Sequence, residues 1–385
     1  MVVKFTKYDF LDAICLSPKV IIRKGDEIPF VEMANVATGN RKEPMAIEMR
    51  KFSGGTKFEK GDTVVASIEP CLQHGKSFYF TEHDRGAGST EYLVFRGIED
   101  ITTNEFVHYF MMSYEIRAAM IRSMKGATGR QRVDPDVFTG MKIELPDIPT
   151  QKKIAAVLSD YDAAIANCRK QIALLEEAVL RLYREWFGDG KGGNWHEETA
   201  FNFCDIMSGG TPSTKHSEYY EGEIPFFTPA DGHNVSCVLD TEKHLSFVGV
   251  SHCNSQLFPV GTIMVTARGT VGNVVYNAVP MAMNQSCYAI KPKDDCFCPL
   301  LLFVMLQNEM RQIKKAGSSG VFDAIKVETF KLLKLKVPNA ELASRCLKVF
   351  QPMYSQVEKL SLQIRSLTEA RDRLLPKLMK GEIEV

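Results

Sequence analysis

The stretch from Ile154 to Trp186, IAAVLSDYDAAIANCRKQIALLEEAVLRLYREW, decides the architecture of this chain. Ile154, Leu158, Tyr161, Ile165, Cys168, Ile172, Leu175, Val179, Leu182 and Trp186 follow one another at spacings of four and three. A sustained repeat near 3.5 residues is the seam of a coiled coil, because it returns apolar side chains to one face of a helix. The pattern recurs near the end of the chain. There Cys346, Phe350, Met353, Val357, Leu360, Ile364, Leu367, Leu374 and Leu378 keep the same alternation, and Arg371 takes an apolar slot. Two matching helical rods are predicted, packed on each other antiparallel.

What precedes each rod is also duplicated. IPFVEMANV (Ile28 to Val36) faces IPFFTPADG (Ile224 to Gly232), and FEKGDTVVASIEPCLQHGK (Phe58 to Lys76) faces FPVGTIMVTARGTVGNVVY (Phe258 to Tyr276). GATGRQRVDPDVF (Gly126 to Phe138) then faces GSSGVFDAIKVETF (Gly317 to Phe330), and each is followed by an alternating strand closing on proline, at Pro146 and Pro338. Apolar runs after glycine turns predict strands at Thr63 to Ile68, Glu91 to Phe95, Thr262 to Ala267 and Ser286 to Ile290. Helical spacing before a glycine stop predicts short helices at Asn104 to Met124 and Pro299 to Lys315. The fold class is α+β: two similar β-rich domains separated by two long antiparallel coiled-coil helices, with an internal pseudo-two-fold repeat. Residues 1–149 form the first domain, 150–187 the first helix, 195–338 the second domain, and 339–385 the second helix and tail. Gly188, Gly190, Gly192 and Gly193, with Asp189 and Lys191, make 188–194 a flexible joint. Pro352 falls inside the second helix and is expected to kink or shift it.

Composition narrows the function classes. At 385 residues and 45% hydrophobic content the chain can bury ordinary globular cores, and its net charge of zero argues against indiscriminate coating of nucleic acid. Met1 to Phe10 holds Lys4, Lys7 and Asp9, and no apolar run reaches membrane length, so a cytoplasmic location and no membrane partner are expected. The ten cysteines lack the spacing of a disulfide framework and read as reduced thiols. His252 beside Cys253, and the Cys296/Cys298 pair, lack the paired ligands of a zinc module, so no metal site is expected. There is no GxxxxGK[ST] phosphate loop and no Pro-Pro pair, which argues against nucleotide hydrolysis or adenine methylation by this chain itself.

LPDIPTQKKIAAVLSDYDAAI (Leu145 to Ile165), PCLQHGK (Pro70 to Lys76), ARGTVGN (Ala267 to Asn273), GATGRQRV and the ending RDRLLPKLMKGEIEV (Arg371 to Val385) carry a resemblance. In their duplicated order the chain resembles the specificity subunit of type I restriction-modification enzymes over essentially its whole length. One departure is the start of the second rod, NAELASRCLKVF, which lacks the proline-rich, glutamine-containing opening of the first. The resemblance implies two target recognition domains, each reading half of a split sequence in double-stranded DNA. It also implies a spacer role for the helices, two methyltransferase subunits docked around them, and translocase and endonuclease subunits that join for cleavage. S-adenosylmethionine, ATP and Mg²⁺ would belong to those partners, none being bound by this chain.

Reading DNA needs side chains that reach base edges and basic groups that hold phosphates. Loops Arg122 to Arg132 and Lys314 to Lys336 supply the charge. The first offers Lys125, Arg130, Gln131 and Arg132, with Gln131 as a candidate adenine reader and Arg130 or Arg132 as a guanine reader; the second offers Lys314, Lys315 and Lys326 beside Gly317 and Gly320. In the shorter loops Gln73, His74 and Lys76 correspond roughly to Arg268, Thr270 and Asn273. The helix-seam and partner candidates are Ile154, Leu158, Ile165, Ile172, Leu175, Val357, Leu360, Ile364, Leu367 and Arg371, the last either contacting a partner or snorkelling to solvent. Two other classes remain open: a coiled-coil adaptor whose domains bind proteins, and a self-contained restriction enzyme.

Overall fold

The computed structural model describes residues 4–36, 47–188, 194–232, 235–316 and 324–385; Asp189 to Gly193 of the expected joint, and Gly317 and Gly320, lie outside the described residues. The chain divides into two compact units, Met1–Ile165 with Ser366–Val385, and Ala166–Arg365. Each unit therefore holds one β-rich domain together with part of both long helices, Ile148–Trp186 and Ala340–Met379.

In the first unit, the strand Phe5–Asp9 pairs antiparallel with Lys142–Pro146, so the domain's two ends meet where the first long helix begins. A four-stranded antiparallel sheet runs in the order Ile14–Leu16, Tyr92–Gly97, Thr63–Ala66, Ser77–Tyr79. A second four-stranded sheet, Glu48–Lys51, Glu27–Val31, Arg85–Gly88 and Thr56–Glu59, contains one parallel pair. The predicted helix over Asn104 to Met124 is two helices, Asn104–Met111 and Tyr114–Arg122. Ser113 interrupts them, since serine competes for backbone hydrogen bonds inside a helix and favours its start.

The second unit repeats the plan. Trp195–Thr199 pairs with Lys334–Pro338, and a five-stranded sheet runs Cys204–Ser208, Cys287–Pro292, Ile263–Thr266, Val274–Asn277, Cys237–Val238. A three-stranded sheet, His244–Leu245, Ile224–Phe227 and Ala282–Met283, takes the place of the second sheet of the first unit. The long helices start alike. Asp147 Oδ1 accepts from the Thr150 amide at 3.0 Å and Asn339 Oδ1 from the Leu342 amide at 2.9 Å, each capping free donors of the first turn.

Within the first unit Ile154 and Leu158, early in the first long helix, share a core with Leu375 and Leu378, late in the second. Within the second unit Val179 and Tyr183 share a core with Cys346 and Phe350, and Trp186 stacks on Phe350 with ring centroids 5.7 Å apart. That pairing is antiparallel. The buried stripe is wider than the heptad reading predicts: Tyr161 and Met353 are only half-buried, whereas Asp162 and Tyr354, one residue on, are buried. A helix that also packs on a globular domain needs a broader face than a two-helix seam. Among the other seam residues, Ile165, Val357 and Leu360 are buried, while Ile172, Leu175, Ile364 and Leu367 are half-buried.

The second helix is unbroken through Pro352, which lies on its exposed face beside exposed Lys348, so the carbonyl that loses its partner can turn to water. One expectation fails. Arg371 neither meets a partner nor snorkels. It is 3% exposed, and its Nη1 donates to Asp162 Oδ1 at 2.5 Å. The apolar slot accepts an arginine because Asp162 supplies the opposite charge from the facing helix.

Candidate nucleic-acid interface

The two basic loops of the first domain are brought together by a residue the sequence reading passed over. Glu69 follows the strand Thr63–Ala66. Its Oε1 accepts from Gln73 Nε2 at 3.1 Å, its Oε2 from the Gly129 amide at 2.9 Å, and its own amide donates to the Gln131 carbonyl at 2.9 Å. Lys125 and Arg132 close the second loop, each amide donating to the other's carbonyl at 2.9 Å. The turn inside that closure needs Gly126 at φ +123° and Gly129 at φ +82°, a region that L side chains avoid. Exposed Arg130 and half-buried Gln131 stand on it.

The charges in this loop are not equally available. Arg132 holds Glu91 at two points, Nε to Oε2 at 2.8 Å and Nη2 to Oε1 at 2.7 Å, and that bond raises the guanidinium's pKa further. Lys125 Nζ lies 2.5 Å from Asp134 Oδ2; the contact lifts the lysine above, and holds the aspartate below, its ordinary value. Lys76 turns inward and donates to the Met33 carbonyl at 2.9 Å. Arg130 and His74, both exposed, have no side-chain partner among the described residues.

In the second domain the corresponding loop runs from Ala267 to Asn273. Thr270 Oγ1 donates to the Pro229 carbonyl at 2.9 Å, and Asn273 Nδ2 to the Gly232 carbonyl at 3.1 Å. Lys314 Nζ reaches Asn273 Oδ1 at 2.5 Å, and partial burial, then the neighbouring Arg311, lower its pKa. Arg268 is exposed without a partner among the described residues. The side chain of Lys315 lies outside the described residues.

Ladder hydrogen bonds place the two loops in register. Ala66 donates to the Lys76 carbonyl and Thr266 to the Asn273 carbonyl, both at 3.0 Å, so Lys76 and Asn273 are equivalent. Arg268, however, is the second residue past the strand end and matches Ile68, not Gln73; the first loop is simply longer. The segment Lys314 to Lys336 is also not one loop, because Lys314 lies in the helix Pro299–Ala316 and Lys326 caps the helix Val327–Leu332. Glu69, Glu91 and Asp134 escaped the sequence reading because an acid paired across a fold has no local signature. The spacing of Glu91 from Arg132, 41 residues, follows no motif.

Two copies of one β-rich scaffold, each presenting an exposed loop arginine and each resting on paired long helices, define a duplicated recognition protein. The chain belongs to the family described as the type I restriction modification DNA specificity domain, which matches it twice, over residues 15–177 and 193–365. It is similar to the type I restriction enzyme HindI specificity subunit of Haemophilus influenzae, 23% identical over 402 residues covering 84% of this chain and 87% of that protein. It is also similar to the EcoR124I/EcoR124II specificity subunit of Escherichia coli, 24% identical over 71% of this chain and 67% of that one. The crystal structure of a type I restriction-modification S subunit from M. genitalium shares the fold, with a TM-score of 0.52, 15% identity, and coverage of 98% and 96% of the two chains. The chain's role in such a system is DNA sequence specificity, and it is non-catalytic.

Proposed function

We propose that this chain reads a two-part sequence in double-stranded DNA, one part with the loops of each domain, while its long helices set the gap between the two parts. The reading rests on one observation above all: each domain leaves a loop arginine, Arg130 and Arg268, exposed and without a partner among the described residues, on a chain of zero net charge. An unpartnered guanidinium is free to take a guanine edge or a phosphate. Gln73, His74, Gln131 and Thr270 are the remaining candidates for base contact, and Lys76, Lys125, Arg132, Asn273, Lys314 and Lys315 complete the two sites. The half-buried seam residues Ile172, Leu175, Ile364 and Leu367 are candidate contacts for two methyltransferase subunits, with translocase and endonuclease subunits joining for cleavage. S-adenosylmethionine, ATP and Mg²⁺ belong to those partners. Among the described residues no helix is long and apolar enough to cross a membrane, and we place the complex in the cytoplasm.

The test is co-expression with the methyltransferase encoded beside this chain, followed by mapping of methylated adenines across the host DNA. A split motif with a fixed unspecified gap, lost when this chain is omitted, is the expected result. Methylation that persists without the chain, or a continuous motif, overturns the reading.

A further inference from the structure

Arg132 is held more tightly than a surface arginine ordinarily is. Its backbone is closed onto Lys125 from both sides, the next residue, Val133, donates to the Ser67 carbonyl at 2.8 Å, and the preceding carbonyl accepts from Glu69 at 2.9 Å. Glu91 is fixed too, since its carbonyl accepts from the Ser67 amide at 2.8 Å and from Ser67 Oγ at 2.9 Å. The two-point ion pair therefore joins side chains whose backbones are already anchored to the same strand end.

A guanidinium carries five N–H groups in a planar fork. Glu91 takes one edge of it, Nε and one hydrogen of Nη2. The Nη1–Nη2 edge is left, met among the described residues only by a 3.3 Å contact from Nη1 to the Arg130 carbonyl, and the side chain is 53% exposed. Two parallel donors at that spacing match the O6 and N7 acceptors of guanine in the major groove. An arginine ordered before it binds also loses less rotamer freedom on binding.

The second domain supplies a control. Ala267 donates to the Ser286 carbonyl at 2.8 Å as Ser67 does to Glu91, and Ile325 donates to the Ala267 carbonyl at 2.9 Å as Val133 does to Ser67. Ser286 thus occupies the place of Glu91, and Ala324 the place of Arg132. The same scaffold forms with neither charge present. The pair is absent as a unit, so it belongs to what the first domain presents and not to what the fold requires.

We infer that Glu91 is a positioning residue for recognition: it aims the free edge of Arg132 at a guanine in the half-site read by the first domain. The inference rests on the DNA-reading role proposed above. Its test maps the methylated motif produced by the complete complex carrying Glu91→Ser, Arg132→Ala, or both, the residues that the second domain carries at these places. The expected result is that each single variant loses discrimination at the same one guanine, by about 5- to 150-fold. The double variant should be no worse than Arg132→Ala, with every other letter kept. Full retention of that letter in Glu91→Ser, or equal loss across both half-sites, overturns the inference. A wild-type complex that yields no split motif overturns the underlying role instead. If Glu91→Ser fails to accumulate, Glu91→Gln takes its place, because it keeps one accepting oxygen and removes the charge and the two-point hold on Arg132: loss of the same letter supports the inference, and full retention overturns it.

Discussion

Asp162 and Tyr354 stand the same number of residues past Pro146 and Pro338, and so do Val179 and Arg371, yet the two units fill these places with opposite chemistry. In the first unit Asp162 is buried between Arg371 of the second long helix and Tyr109, whose hydroxyl donates to Oδ2 at 2.8 Å. In the second unit the facing position is Val179, and Tyr354 donates to Gln307 Oε1 at 3.2 Å. One junction is ionic and the other neutral. Gln151 extends the contrast. Buried in the first unit, it donates to the carbonyls of Ile101 and Pro146 at 2.8 and 2.9 Å and accepts from the Thr103 amide at 3.0 Å, while the second unit has Ala343 in its place. The contrast shows that the backbone plan does not dictate these contacts. A buried ion pair adds little over an apolar contact but tolerates the loss of one partner badly, which makes it a device for fixing which helix segment lies opposite which.

The largest effect should come from breaking that device on one side only. Arg371→Met strands the Asp162 carboxylate in the core and is expected to destabilise the first unit by about 3–5 kcal/mol. Adding Asp162→Asn should recover most of this, because the amide oxygen still accepts from Tyr109. Chemical denaturation of both variants decides it, and a double variant as weak as the single one would mean that lost arginine packing, not stranded charge, dominates. Gln151→Ala comes next, at about 2–3 kcal/mol, since it leaves the Thr103 amide and two carbonyls short of a partner. Faster hydrogen exchange at the Thr103 amide should accompany it; an unchanged rate would show that another group takes over.

The loops carry a smaller, site-specific version of the same contrast. Arg130→Ala and Arg268→Ala remove exposed groups and should leave stability unchanged, while each weakens binding by about 1–3 kcal/mol if its guanidinium reads a base. Each should relax the letters of one half-site only. Binding to DNA series with one randomised half-site measures this, and loss spread evenly over all sequences would reassign the residue to phosphate contact.

The long helices were legible because a heptad repeat is a local pattern, and the core strands because apolar runs follow glycine turns. Shorter strands such as His244–Leu245 were not, since two residues carry no periodicity. The buried role of Asp162 was hidden by the choice of period: a 3.5-residue seam leaves it outside, and only packing against the domain as well brings it in. In the candidate site the basic residues were visible by type. Their availability was not, because it depends on Glu91, Asp134 and the Met33 carbonyl, which folding brings in from distant parts of the chain.

Glu176 provides the smallest and finest probe, because the second unit has this carboxyl in its long helix where the first has neutral Thr368. Burial pushes the Glu176 carboxyl above its ordinary range, against the opposing pull of the Ser236 hydroxyl and of Arg311, whose nearest nitrogen is 4.0 Å away. A carboxyl whose pKa is raised by folding favours the folded state while protonated. That contribution is complete below the ordinary glutamate value and is lost as pH rises through the raised one. Glu176→Gln keeps an oxygen for Ser236 and removes the titration. At neutral pH the variant's second unit should be more stable by less than about 1 kcal/mol, with the advantage vanishing in acid. Thermal unfolding at a series of pH values measures it. A variant less stable at neutral pH would show that attraction to Arg311 outweighs burial, and the second junction would then be as ionic as the first.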